Sequence, residues 1–82
     1  MTEQRAKEII RTLKARHKTF KPLSEPVLTK RGGARIEFAV VKVLPAAVSV
    51  WFIDAGAFAT MIGYEDLYDN GGTMYAEFEE KA

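Results

Sequence analysis

Two apolar runs on either side of Pro45-Ala46 constrain the fold of this chain more than any other feature. The first covers residues 34–44 and the second residues 47–54, and both have the length and the Val, Ile and aromatic content typical of strands. A two-residue turn at Pro45-Ala46 would make them antiparallel neighbours, with Val40 opposite Trp51. The chain is therefore predicted to be organised around a sheet.

The segment before this sheet has the periodicity of a helix. Its apolar side chains recur at steps of three and four residues from Thr2 to about Phe20, which places them on one stripe. Thr2 is a suitable N-cap, and the helix must stop by Lys21 because Pro22 disfavours helical backbone before it. The stripe consists of Ala6, Ile9, Ile10, Leu13, His17 and Phe20, and the outer face is basic.

A glycine pair predicts a hairpin between the helix and the sheet. Residues 27–31 and the strand from Arg35 flank Gly32-Gly33, which permits the positive φ angles of a tight turn. The tip has the sequence KRGGAR, with Lys30, Arg31 and Arg35 around the glycines. It lacks the spacing of a phosphate-binding P-loop, so a charged edge hairpin and a contact with phosphate groups both stay open.

The carboxy-terminal third predicts two further strands. A turn at Ala55-Gly56 would add a strand at 57–63, and a polar connector at 64–72 would lead to a strand at 73–79 with Met74, Ala76 and Phe78 on one face. A helix at 55–69, with Asp54 as N-cap, is the alternative and gives the order α-β-β-α-β. The predicted fold class is α+β, a single domain over residues 1–82 with the amphipathic helix packed on a curved antiparallel sheet of four to five strands.

This pairing also predicts which sheet face the helix covers. The covered face would carry Ala39, Val41, Val43, Val48, Val50, Phe52, Ala59 and Met61. The opposite face would carry Ile36, Phe38, Val40, Leu44, Trp51, Ile53, Phe58 and Ile62. A shift of one residue at any turn exchanges the two faces.

Composition excludes several classes of protein. The chain has no cysteine, so it has neither a disulfide framework nor a thiolate site. Charged residues near the amino terminus and the lack of a long apolar run predict a cytoplasmic protein without a membrane span. Net charge is only +1, but residues 1–42 hold eleven Lys and Arg against four Asp and Glu, while residues 43–82 hold one against seven. Much of this charge asymmetry is expected to be neutralised within the fold when the two halves pack together.

No residue pattern points to catalysis. His17 is the single histidine and lies in the apolar stripe, where packing is the expected role. Because no motif for a nucleophile, a cofactor or a metal is present, we predict a protein that is not an enzyme and uses no cofactor or metal.

Two functions remain from the sequence. The first is a protein-binding module, such as an inhibitor, adaptor or assembly subunit, that binds a protein partner or forms a homodimer through an exposed aromatic sheet face. The residues predicted to bind are Phe38, Val40, Trp51, Ile53 and Phe58. The alternative is nucleic-acid binding by the basic helix and the KRGGAR tip, through Lys14, Lys18, Lys30, Arg31 and Arg35.

Overall fold

The computed structural model describes residues 1–40, 43–68 and 71–81, with side chains at 40, 65–68 and 71 outside that description. The described residues form two helices and five strands. The helices are α1 (Glu3–Arg16) and α2 (Pro45–Asp54). The strands are β1 (Lys21–Pro22), β2 (Val27–Leu28), β3 (Ala34–Val40), β4 (Ala57–Tyr68) and β5 (Gly71–Glu80). Their order along the chain is α1-β1-β2-β3-α2-β4-β5.

The strands form one antiparallel sheet in the order β1-β3-β5-β4, and β2 also pairs with β3. β5 is therefore an inner strand, and β4 lies at one border of the sheet. Its pairing with β5 is interrupted by register shifts at Thr60 and at Glu65, and such bulges increase the local twist of a strand. The α+β class with an amino-terminal helix on an antiparallel sheet is confirmed.

Helix α1 begins where the sequence predicts and ends earlier. The Thr2 hydroxyl oxygen accepts a hydrogen bond from the Arg5 backbone N–H at 3.1 Å, which satisfies one of the free donors of the first turn. The helix ends at Arg16 with His17 as C-cap, rather than continuing to Phe20. Phe20 lies beyond the helix, buried, with its ring 4.7 Å from that of Phe38.

Helix α2 replaces a predicted strand and is the main correction. Pro45 is in the first turn, and Gly56 follows the helix with φ +88° and donates its N–H to the Ile53 carbonyl oxygen. Proline at the start and glycine just past the end are typical helix boundaries. Proline also cannot adopt the positive φ of a two-residue hairpin turn, so the predicted turn at Pro45-Ala46 was wrong.

The other turns are closer to prediction. The hairpin around Gly32-Gly33 is present, but Leu28 pairs with Ala34, so its loop spans residues 29–33 instead of two glycines. Gly56 does precede a strand, and β4 rules out the alternative helix at 55–69. β5 extends the predicted strand at 73–79 in both directions, with Met74, Ala76 and Phe78 buried.

The core shows that the predicted sheet faces were reversed on β3. Ile36 and Phe38, expected on the face opposite the helix, are buried beneath α1 and α2, while Ala39 lies on the other face. Val48 and Phe52 enter the same core from α2, with the Phe52 ring 4.9 Å from that of Phe78. Val50 and Met61, expected under the helix, are exposed, and Val41 lies outside the described residues. Both helices therefore cover one face, and the second face is open.

Candidate functional site: the outer face of helix α2

The side of α2 turned away from the core is apolar and exposed. Val48 and Phe52 point inward, one helical turn apart, so the residues half a turn from them point outward. The relative exposure of Leu44, Val50 and Ile53 is 72%, 54% and 40%. We define the outer face of α2 as Ala46, Ala47, Val50 and Ile53 together with Leu44, the residue that caps the start of the helix, and all of them are exposed. A helix that is apolar on all sides is normally surrounded by protein.

Trp51 lies on the flank of α2 that meets α1. Its ring stacks on the imidazole of His17, with centroids 4.3 Å apart and planes 13° from parallel. On the same flank, the Arg16 guanidinium donates a hydrogen bond to the Asp54 carbonyl oxygen at 2.8 Å. Trp51 therefore joins the two helices, and it is only partly exposed.

His17 has the packing role that the sequence predicted. Its Nε2 atom is buried and makes no hydrogen bond within the described residues. The imidazole acts there as a flat ring that covers one face of the indole.

The five residues predicted to bind a partner do not share one surface. Phe38 is fully buried in the core, so its predicted exposure was wrong. Trp51 and Ile53 lie on α2, and Phe58 lies opposite Glu79 on the open face of the sheet. The side chain of Val40 lies outside the described residues.

The open sheet face is mixed in character. Phe58 and Met61 expose 41% and 43% of their surface. The Arg35 guanidinium lies 4.1 Å above the Tyr75 ring and 3.9 Å from the Glu37 carboxylate, and it is directly opposite Glu77 in the sheet. Charged side chains of both signs thus separate the apolar ones on this face.

The five basic residues proposed for nucleic acid lie in two regions. Lys14 and Lys18 are exposed at the end of α1, which spans about 21 Å. Lys30 and Arg31 lie near its start, where the Met1 ammonium donates to the Gly32 carbonyl oxygen at 3.0 Å. Arg35, on the open sheet face, is opposite Glu77, which also lines the pocket beside Lys30 and Arg31. The fold therefore does not bring Lys14 and Lys18 into one patch with the other three cations.

Lys30 and Arg31 border a shallow pocket of about 460 Å³ beside the open sheet face. Its other lining residues are Thr29, Thr60, Met61 and Glu77. A carboxylate in the lining repels phosphate groups, so the pocket does not favour nucleic acid.

An ion pair between the two halves neutralises part of their charge asymmetry. The Arg5 Nε atom lies 2.8 Å from a Glu80 carboxylate oxygen. The hydrogen bond to Glu80 raises the pKa of Arg5 above its ordinary value. Other ion pairs, such as that between Lys7 and Glu3, link residues of the same half.

Sequence reasoning missed Val50 as a surface residue because it placed Val50 in a strand beneath the helix. It placed Leu44 on the open sheet face but did not include it among the residues predicted to bind. The signal that identifies them is local: Pro45 and Gly56 at the ends of a ten-residue apolar segment, with buried residues four apart.

Comparison of the chain with protein-family models, with curated proteins and with solved structures finds no match. In the part of the chain that is described, no helix is long and apolar enough to cross a membrane. Within that same part, no three His, Cys, Asp or Glu side chains are grouped to hold a metal ion.

Proposed function

We propose that this chain is a small non-enzymatic protein-binding module whose binding surface is the outer face of α2. The observation that carries the proposal is the exposure of Leu44, Val50 and Ile53 on a helix with no charged side chain before Asp54. Apolar side chains grouped on one exposed element are typical of protein interaction sites.

The chemistry of α2 supports this role. Fully buried centres of interfaces are depleted in charged residues, as this helix is. The alanines at 46 and 47 allow another backbone to approach closely, while Val50 and Ile53 supply apolar area. Trp51 is held at the margin by His17, so it borders the surface as a rigid ring rather than forming its centre.

Nucleic-acid binding has less support as the second function. Lys14 and Lys18 lie apart from the other three cations, and acidic side chains occupy the open face near Lys30 and Arg31. A mobility-shift titration at low salt tests it directly, because a genuine phosphate-binding surface would retard DNA or RNA with a steep salt dependence.

The protein-binding proposal is tested by affinity capture with a matched pair of variants. Val50→Lys places a charge in the outer face of α2, and Val27→Lys places the same charge on β2, where the valine is 66% exposed. We expect Val50→Lys to lower recovery of the captured protein by about tenfold or more, and Val27→Lys to leave it unchanged. Equal recovery with both variants would overturn the proposal. Circular dichroism and thermal unfolding verify that both variants are folded.

A further inference from the structure

The outer border of β4 is an unpaired strand edge beside the exposed helix. β4 pairs with β5 on one side, and no described strand pairs with its other side. Charged side chains and proline are two of the devices with which proteins protect a strand edge from pairing. Residues 57–64 contain neither. An uncharged, unpaired edge is a template for another strand, even where bulges limit its regular part.

Helix α2 lies on this border of the sheet. It packs on β4, whereas α1 packs near β1 and β2. Ala46 and Ile53 are about half a turn from Trp51, so they face away from α1. Tyr64 lies opposite Met74, on the helix-covered side of β4, and is 43% exposed. An apolar helix flank, an exposed tyrosine and an open strand edge therefore adjoin one another.

We propose that the occupant of this border is a second copy of the chain. β4 pairs antiparallel with β4 of the partner about a twofold axis perpendicular to the sheet, so the sheet continues from one copy into the other. The same axis keeps both α2 helices on one side of the joined sheet and brings their Ala46 and Ile53 flanks together. The inference rests on the proposed function and names its partner.

Charge distribution favours a second copy over a different protein. A twofold axis places each surface against itself, so charged side chains near the axis would face like charges. Between Val43 and Tyr64 the only charged residue is Asp54. Asp54 is three residues after Trp51, on the flank that faces α1. Glu65 and Asp66 follow Tyr64 in β4, so the uncharged part of this border ends there. Antiparallel pairing centred within residues 61–64 places both positions opposite uncharged residues of the second copy, so self-association brings no like charges directly together. The uncharged part presents no charge for a different partner to complement.

The bulges define where the strands meet. Register shifts at Thr60 and Glu65 leave Met61–Tyr64 as the longest uninterrupted part of the edge, and we place the axis within this segment. A contact of four residues per strand is short. Burial of the α2 flanks must then supply much of the apolar area.

Sedimentation equilibrium tests the second copy. We expect the wild-type chain to have twice the mass of the 9.2 kDa monomer. Ile53→Lys should give a monomer, because it places a charge in the proposed contact. Leu28→Lys is the matched control and should stay a dimer, because Leu28 lies at a different border of the sheet. Isoleucine and leucine have the same size, and the two residues are similarly exposed, at 40% and 44%. A wild-type monomer up to roughly 0.1 mM would overturn the inference. So would a dimer that Ile53→Lys leaves intact, or one that Leu28→Lys disrupts equally.

Cysteine cross-linking tests the strand pairing, because the chain has no cysteine of its own. Single cysteines at Met61, Ile62 and Tyr64 should yield a disulfide-linked dimer at the position nearest the axis. Phe58→Cys is the control, since a strand rise of about 3.3 Å per residue separates its two copies by roughly 20 Å or more. A dimer that cross-links at Phe58, or at none of the three positions, would overturn pairing through β4.

The two proposals fail separately. A monomeric wild-type chain whose capture of another protein depends on Val50 overturns the second copy and retains the binding function. Capture that does not depend on Val50, together with a monomeric chain, overturns both.

Discussion

Single residues in this small domain are constrained most strongly where backbone meets backbone. The loop between β2 and β3 packs against the end of β5, and a Cβ atom added at Gly33 would meet the carbonyl oxygen of Phe78. At Gly32 the space is open, but φ is +88°. The two adjacent glycines are therefore required for different reasons, one for space and one for conformation.

Substitutions at this glycine pair should separate those reasons. Gly32→Ala is expected to cost about 1 kcal/mol through left-handed strain, and Gly32→Asn less, because asparagine tolerates that region. Gly33→Ala should cost about 2 kcal/mol or more, since the strand backbone must shift. Denaturant unfolding measures all three. Equal losses for the two alanine variants would contradict the close contact with Phe78.

Substitutions at His17 separate two effects on stability: the stacking of its ring on Trp51 and the buried Nε2 atom that makes no hydrogen bond within the described residues. His17→Ala should lower the free energy of unfolding by about 0.5–1.5 kcal/mol through loss of the stack on Trp51. His17→Phe keeps a ring and removes the unsatisfied Nε2, so it should be as stable as the wild type or up to about 1 kcal/mol more stable. Thermal and denaturant unfolding compare the variants. A phenylalanine variant as unstable as the alanine variant would show that the imidazole nitrogens matter.

At the scale of elements, α2 is the segment where a helix and a strand would bury different side chains. Residues 47–54 would place Val48 and Val50 on the same side of a strand, because side chains alternate with period two. In the helix they are 200° apart, and Val48 is fully buried while Val50 is 54% exposed.

This difference gives a direct test of the element. Val48→Ala should cost about 2 kcal/mol or more, from two methylene equivalents plus a cavity. Val50→Ala should change the free energy of unfolding by less than about 0.5 kcal/mol. Denaturant unfolding of the two variants, at concentrations where the chain is monomeric, checks this. Similar losses at both positions would indicate a strand.

At the scale of the whole molecule, two helices cover one face of the sheet and leave the other open. The Cα radius of gyration is 11.6 Å, close to the roughly 12 Å expected for a compact domain of this length. With one covered face, the core consists of the inward side chains of β3, β4 and β5, the inner sides of the helices, and Phe20 from the segment after α1. The outer face of α2 adds nothing to that core, which leaves it available for a partner.

Because one sheet face is covered and the other is open, truncating two phenylalanines of the sheet should lower the free energy of unfolding by very different amounts. Phe38→Ala should cost about 3–5 kcal/mol, because the side chain is fully buried against Phe20. Phe58→Ala should cost under about 1 kcal/mol, because Phe58 is 41% exposed on the open face. Unfolding in denaturant measures both. A larger loss at Phe58 than at Phe38 would mean that the faces are assigned the wrong way round.

Local patterns in the sequence were sufficient for several parts of this protein. The spacing of Ile9, Ile10 and Leu13 predicts α1 and its buried side, and Thr2 predicts where it starts. The alternation of Met74, Ala76 and Phe78 predicts β5 and the face it buries. These segments are long or strongly periodic, so the pattern itself distinguishes helix from strand. Together they were enough to predict an α+β domain.

Tertiary structure decided three things: that residues 45–54 form a helix, the order of the strands in the sheet, and which face of the sheet is covered. A ten-residue apolar segment satisfies both helix and strand periodicity, and only the proline and glycine at the ends of α2 distinguish them locally. Once residues 45–54 form a helix, β3 pairs with β5 from the far end of the chain, and the face opposite the prediction becomes the core. Trp51, Ile53 and Phe58 were consequently predicted as one surface and lie on two. Periodicity along a strand shows which side chains share a face, but packing between distant segments determines which face is covered.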